Sequence, residues 1–399
     1  MSDFGFDRLT DRRGSGSVKW DTLSGDGELL PMWVADMDFE TAPAVKEAVM
    51  ARAATGIYGY THIPYERYHR AVADWFGRRH GYSPDPELTV ITTAVVPAIS
   101  ACIKAMTHPG DGVIIQTPVY NCFFSSIRNN GCRAEDAPLS RVDFLAPGLF
   151  TYEMDFEALE EKARDPRNKV LLLCNPHNPA GRAWSRDELI RVAEICHRYD
   201  VTVVSDEIHC DLTMPGSEFV SYATLPEKYS REAFVLTSPS KAFNTAGLQI
   251  ANIFAGNEKL RYAVDRAVND MECCDVNPFG VVGLIAAYES GEPWLESLLE
   301  YLKGNYKALR DFFYENLPEL SISELEATYL VWVDISKLGI DSDRLEHLLI
   351  GEGHVWMNSG VMYGGEGYIR INIATQRSRM LEGLRRMADV IHRLDPEMK

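Results

Sequence analysis

KVLLLCNPHNPAGRAWSRDELIRVAEICHRYDVTVVSDEIH, residues 169–209, decides the fold. It opens with a short apolar run, KVLLLCNP (169–176), and closes with a second, VTVVSDEIH (201–209). Both are β-branched or aliphatic until they end in polar residues, as buried strands do. Between them SRDELIRVAEICHRYD (185–200) puts Leu189, Val192, Ala193 and Cys196 on one face at helical spacing. Ser185 and Glu188 form an S-x-x-E capping box at its start. A strand, a helix and a strand of these lengths imply a right-handed crossover between parallel strands.

The same alternation extends in both directions. ELTVITTA (87–94) reads as a strand and VVPAISACIKAM (95–106) as the helix after it. GDGVIIQTPVY (110–120) and EAFVLTSPS (232–240) are further short strands. Residues 46–289 are therefore expected to form an open, mostly parallel α/β sheet. After Gly291-Glu292-Pro293 comes a long helical pattern, WLESLLEYLKGNYKALRDFFYENL. Two strands follow, TYLVWVDIS and GYIRINIA, and then a closing helix in QRSRMLEGLRRMADVIHRL. Residues 290–399, with 1–45, are expected to form a smaller α+β domain.

Composition excludes several classes. The 399 residues are 46% hydrophobic and 25% charged, ordinary for a globular chain rather than a disordered or fibrous one. Forty basic against 58 acidic residues give a net charge of −18, which repels nucleic acid and anionic membranes. The N-terminus has charges without an apolar core, so it does not read as a secretory signal, and a cytoplasmic location is expected. The apolar stretch around Phe279 to Tyr288 is too short for a membrane span. The eight cysteines include no C-x-x-C pair and are expected to be reduced, mostly buried thiols.

Ligands of open parallel sheets bind at the carboxyl ends of the strands. Those ends carry Ala94 and Val95, Tyr120, Asn175, Asp206 and His209, then Ser238, Ser240 and Lys241. Together they can hold a phosphate, an aromatic ring with a basic nitrogen, and an aldehyde, which describes pyridoxal 5'-phosphate. A buried Lys241 has its pKa lowered and so can form a Schiff base. Asp206 suits a protonated ring nitrogen, Asn175 the phenolic oxygen, and Tyr120 the ring face. The N–H groups at Ala94 and Val95 suit a phosphate at a helix start, with Ser238 and Ser240 adding hydroxyls. GSGS (14–17) follows no strand and reads as a turn. His209 and Asp211 lack the companions of a metal motif, so no metal is expected. Trp20, Trp33, Trp75 and Trp184 read as packing.

Over nearly its whole length the chain resembles the fold-type I pyridoxal-phosphate enzymes of the class I/II aminotransferase superfamily. Within them it resembles the MalY/PatB-like cystathionine β-lyases, or C–S lyases. The landmarks are MWVADMDF (32–39), YGYT (58–61), NPHNPAG (175–181), SDEIHCDL (205–212), SPSKAFNTAGLQ (238–249), TYLVWVD (328–334) and YIRIN (368–372). The resemblance implies Lys241 as Schiff-base lysine and proton shuttle, and Arg370 as the clamp on a substrate carboxylate. It implies Ala35 at the substrate, and a homodimer in which Tyr60 reaches the neighbouring subunit's phosphate. The arginine that aminotransferases carry shortly after the lysine is missing from AFNTAGLQ. The implied reaction is α,β-elimination of L-cystathionine or a related thioether to a thiol, pyruvate and ammonia, with Tyr120 or Lys241 as proton donor. An aminotransferase on the same scaffold and a non-catalytic cofactor-binding regulator are the alternatives.

Overall fold

The computed structural model describes residues 4–23 and 27–394. A seven-stranded sheet runs in the order Thr89–Thr92, Ala251–Ala255, Ala233–Thr237, Thr202–Asp206, Asn168–Cys174, Gly112–Ile115, Arg133–Asp136. The last five of these pair in parallel, and Ala251–Ala255 runs antiparallel to both its neighbours. All strands but that one point the same way, so their carboxyl ends share one edge. The central strands are buried on both faces, which explains their unbroken apolar runs.

Alternate residues feed two cores. Val113, Ile115, Val170, Leu172, Val204 and Leu236 pack with helices Val95–Met106 and Glu258–Asp270 on one face. Ile114, Leu171, Leu173, Val203 and Val235 pack on the other with helices Tyr65–His80, Arg186–Arg198 and Pro278–Ser290. The helix expected between the first two strands spans Arg186–Arg198, and its capping box forms: Ser185 accepts from the Glu188 N–H while Glu188 accepts from the Ser185 N–H. Such a cap stabilises a helix by about 1 kcal/mol.

The second sheet has six strands: Asn358–Ser359, Tyr368–Asn372, Leu330–Asp334, Ser321–Ser323, Leu149–Glu153 and Ser140–Asp143. Its last two strands come from within residues 46–289, the stretch expected to build only the first sheet. The chain leaves the first sheet after Arg133–Asp136, adds a hairpin to the second, and returns at Asn168. Leu149–Glu153 pairs in parallel with Ser321–Ser323, a register no local pattern encodes. The 25-residue helix Glu292–Asn316 and the helix Arg377–His392 complete this part of the molecule. Among the described residues no helix is long and apolar enough to cross a membrane.

Trp75 and Trp184 are buried, Trp33 stacks on Trp356, and Trp20 donates to Asp38. The cysteines are free thiols, with Cys102, Cys174, Cys196 and Cys210 buried.

Candidate active site

A cavity opens at the carboxyl edge of the first sheet. Ala35, Ala94, Val95, Tyr120, Asn178, Asp206, His209, Ser238, Ser240, Lys241 and Gln249 are among the residues lining it. Most of these side chains are delivered by strand ends. Asp206 ends Thr202–Asp206, and Ser238 follows Ala233–Thr237 directly. Ala94 is the N-cap of helix Val95–Met106 and brings no side-chain cap. Pro97 has no N–H, so the open donors of that first turn are those of Val95 and Val96.

Among the described residues, the charges in this cavity form no ion pairs. Asp206 is buried, and its carboxylate accepts from the Ile208 N–H at 3.1 Å. Burial raises its carboxyl to about 7, while that N–H and Lys241 pull the other way. Lys241 Nζ donates to the Ala35 carbonyl at 2.7 Å. Burial lowers its amine to about 8, helped by the nearby Arg370 guanidinium. Burial also holds His209 well below the usual imidazole range, with Lys241 and Arg370 reinforcing it. Its ring is therefore neutral, and its Nδ1 has no partner among the described residues. The Tyr120 phenol is pushed well up by burial, then by Cys122 and Asp206, so it keeps its proton.

Arg370 is buried in the strand Tyr368–Asn372 of the second sheet. Nη1 donates to Asn178 Oδ1 at 3.1 Å and Nη2 to the Trp33 carbonyl at 3.0 Å. The guanidinium lies over the Tyr363 ring, 4.5 Å from its centroid, and Nε has no partner among the described residues. No described carboxylate pairs with it either, so a buried cation is left for an anion from outside.

These features fit pyridoxal phosphate. A buried carboxylate without a cation suits a protonated ring nitrogen, and a desolvated amine suits an aldehyde. An uncapped helix start on a cavity wall that Ser240 also lines suits a phosphate.

A family model described as aminotransferase class I and II matches residues 28–387. The chain belongs to that family. PatB of Bacillus subtilis, a cystathionine β-lyase, is 38% identical over 387 residues, covering 96% of this chain and 98% of PatB. Protein MalY of Escherichia coli is 32% identical over 394 residues, covering 97% of this chain and 99% of MalY. Cystalysin from Treponema denticola, solved with pyridoxal 5'-phosphate, superposes with a TM-score of 0.93. It is 32% identical, with 98% of this chain and all of that one covered. The pyridoxal-phosphate-bound C–S lyase of Staphylococcus hominis gives 0.88 at the same identity and coverage.

Within this family member the expected site residues do not all meet. Asn175 is a correction: it is buried, but its Nδ2 donates to the Val220 carbonyl at 2.9 Å and it does not line the cavity. The second asparagine of NPHNPAG, Asn178, lines it instead and is the one that Arg370 holds. The motif offered two candidates three residues apart, and only the path of the turn separates them. Ser238 reaches the cavity wall, yet its hydroxyl donates to the Ile250 carbonyl at 2.7 Å and accepts from the Ser240 N–H at 3.1 Å. It shapes the lysine loop. Tyr60 is fully exposed and lines a different cleft with Arg52, His62 and Arg67, outside this cavity.

Gln249, with a left-handed backbone (φ +52°), was not foreseen. It is an exposed residue that lines the cavity, at the end of the segment AFNTAGLQ that lacks an arginine. Asp211 faces away from the cavity. Its carboxylate accepts from Trp75 Nε1 at 3.1 Å, meets His80 Nε2 at 2.8 Å, and lies 3.3 Å from Arg79 Nε.

Proposed function

We propose that this chain is a pyridoxal-phosphate-dependent carbon–sulfur β-lyase. It would split L-cystathionine, or a related L-cysteine thioether, into a thiol such as homocysteine, pyruvate and ammonia. The observation that carries the reading is a cavity lined by the buried Asp206 carboxylate and the half-buried Lys241, with the buried Arg370 guanidinium held next to it through Asn178, and none of the three in an ion pair among the described residues. Full-length relatives named as cystathionine β-lyases support the choice of reaction.

When bound, the cofactor supplies an electron sink for the pair left at Cα once its proton is removed. Lys241 would hold the aldehyde carbon, Asp206 would keep the ring nitrogen protonated, and Asn178 and His209 would face the ring edge. Val95, Val96, Ser240 and Gln249 would receive the phosphate. Arg370 binds the substrate carboxylate with a planar fork already held on two sides. That sets which Cα bond faces the lysine. The Lys241 amine, lowered to about 8, takes the Cα proton. Tyr120, still protonated at neutral pH, gives a proton to the departing sulfur.

The same reading makes the enzyme a homodimer in which Tyr60 completes the neighbouring site. Met50, Ile57, Tyr58, Tyr60 and Tyr65 are exposed on neighbouring segments, a patch suited to a second copy. It also assigns two domains, with the 140–153 hairpin joining the smaller one, and a cytoplasmic role in methionine metabolism.

The test is release of pyruvate and free thiol from L-cystathionine by the cofactor-loaded protein without a keto acid. Sustained release of both supports the lyase, and Lys241→Ala abolishes it. Turnover only after a keto acid is supplied moves the protein to transamination, for which the same residues would serve.

A further inference from the structure

Residues Trp33–Phe39 form neither helix nor strand, yet every one of their carbonyls accepts a hydrogen bond from a side chain. Arg370 and Asn358 donate to Trp33, and Lys241 and Tyr329 to Ala35. Lys19 serves Asp36, Arg12 serves Met37, and Gln376 serves Asp38. The remaining donors are two asparagines, each bridging a pair of carbonyls. Asn372 Nδ2 donates to Val34 at 2.6 Å and Asp36 at 2.7 Å, straddling Ala35. Asn244 Nδ2 donates to Met37 at 3.0 Å and Phe39 at 2.9 Å, while its Oδ1 accepts from the Met37 N–H at 3.0 Å.

The placement of these two is systematic. Asn372 lies two residues after Arg370 on one strand, so both side chains leave the same face. Asn244 lies three residues after Lys241 and takes a left-handed conformation (φ +54°) that turns the lysine loop toward the strap. Lys241, which lines the cavity, and Arg370, which holds the cavity residue Asn178, thus each share a segment with a clamp on the same strap. Ala35 is the strap residue that lines the cavity, and the Trp33 carbonyl anchors the Arg370 guanidinium.

We propose that Asn372 and Asn244 are positioning residues for the amino-acid substrate, holding the strap so that Ala35 walls the cavity and Trp33 aims Arg370 at the α-carboxylate. This rests on the pyridoxal-phosphate reading above. Neither clamp lines the cavity itself. Loosening them weakens binding of α-amino acids and leaves cofactor binding in place. Two neutral hydrogen bonds correspond to roughly a 10- to 100-fold loss of affinity.

The test uses the holoenzyme and L-alanine, an α-amino acid without a β-leaving group, followed by the change it causes in the cofactor's visible absorption. Asn372→Asp keeps the oxygen that accepts from the Ala374 N–H at 2.7 Å but removes both donors to the strap. Asn244→Asp likewise keeps the acceptor for Met37 and removes two donors. The expected result is a roughly 10- to 100-fold higher Kd for L-alanine with an unchanged Kd for pyridoxal phosphate, and in turnover a raised KM with kcat nearly preserved. Folded variants with an unchanged L-alanine Kd overturn the proposal. So does a cofactor affinity that falls by the same factor, which marks a merely structural role. Asn372 is buried and Asn244 half-buried, so Asn244→Asp decides the matter if Asn372→Asp does not fold. A wild-type protein whose bound cofactor gives no response to L-alanine instead refutes the reading of the site itself.

Discussion

Replacing Asp206 with asparagine should stabilise the cofactor-free protein and weaken the holoenzyme. Burial raises this carboxyl from 3.8 to about 7, so between those values the folded chain holds a proton that the unfolded chain has lost. Stability therefore falls as pH rises through that window, and the full cost is present above it. Three pH units correspond to about 4 kcal/mol above pH 7, with about 1.5 kcal/mol of that cost already present at pH 5. The substituted amide would carry no such charge, and its oxygen could still accept from the Ile208 N–H. Its NH₂ group would lack an acceptor in the empty cavity, which takes back roughly 1–2 kcal/mol. The cofactor-free variant should then exceed wild type by about 2–3 kcal/mol at pH 8, or about 3 °C in melting temperature for a chain this long. At pH 5 the two should nearly coincide. Pyridoxal phosphate reverses the order, because the variant loses a charge-assisted bond and binds it roughly 10- to 150-fold more weakly. Thermal melts of stripped and loaded protein at both pH values read every part. A stripped variant no more stable than wild type at pH 8, or a gap that ignores pH, would refute the reasoning.

Other substitutions probe the remaining parts. Arg370→Lys should lower kcat/KM by roughly 10- to 150-fold, since one charged hydrogen bond of the fork is lost; steady-state pyruvate release checks it, and a change under about threefold removes Arg370 from carboxylate binding. Tyr120→Phe should lower kcat roughly 100-fold while the ring still packs and cofactor affinity holds. Unaltered kcat in that variant leaves Lys241 as the proton donor. Asp211→Ala strips a buried acceptor from Trp75, His80 and Arg79 and should cost about 3–5 kcal/mol. A calorimetric melting temperature should drop by about 4–6 °C, with KM little changed because Asp211 faces away from the cavity.

Much of the first sheet was legible because its information is local. A buried parallel strand writes an unbroken apolar run, and a crossover helix writes a 3.6-residue stripe with a cap, as residues 169–209 show. Strand-end chemistry follows from that topology, which is why Lys241, Asp206, Tyr120, His209 and Ser240 could be singled out from the sequence, and all five line one cavity. The hairpin at 140–153 was not legible, since its alternation says that it pairs and nothing says with which sheet. The choice between Asn175 and Asn178 had the same cause: side-chain identity is written in the motif, but direction is set by the turn.

By itself the sequence determined the fold class and the Ser185–Glu188 cap, and offered a set of side chains suited to an aldehyde cofactor, because each depends on neighbours a few residues away. Only the tertiary structure decided which asparagine faces the cavity, that Arg370 from the second sheet reaches that asparagine, and that Gln249 lines the same cavity. It also revealed the strap at 33–39, whose carbonyls are satisfied by residues up to 338 positions away. Backbone groups that belong to no helix or strand must find partners wherever packing supplies them, and packing is a property of the whole chain.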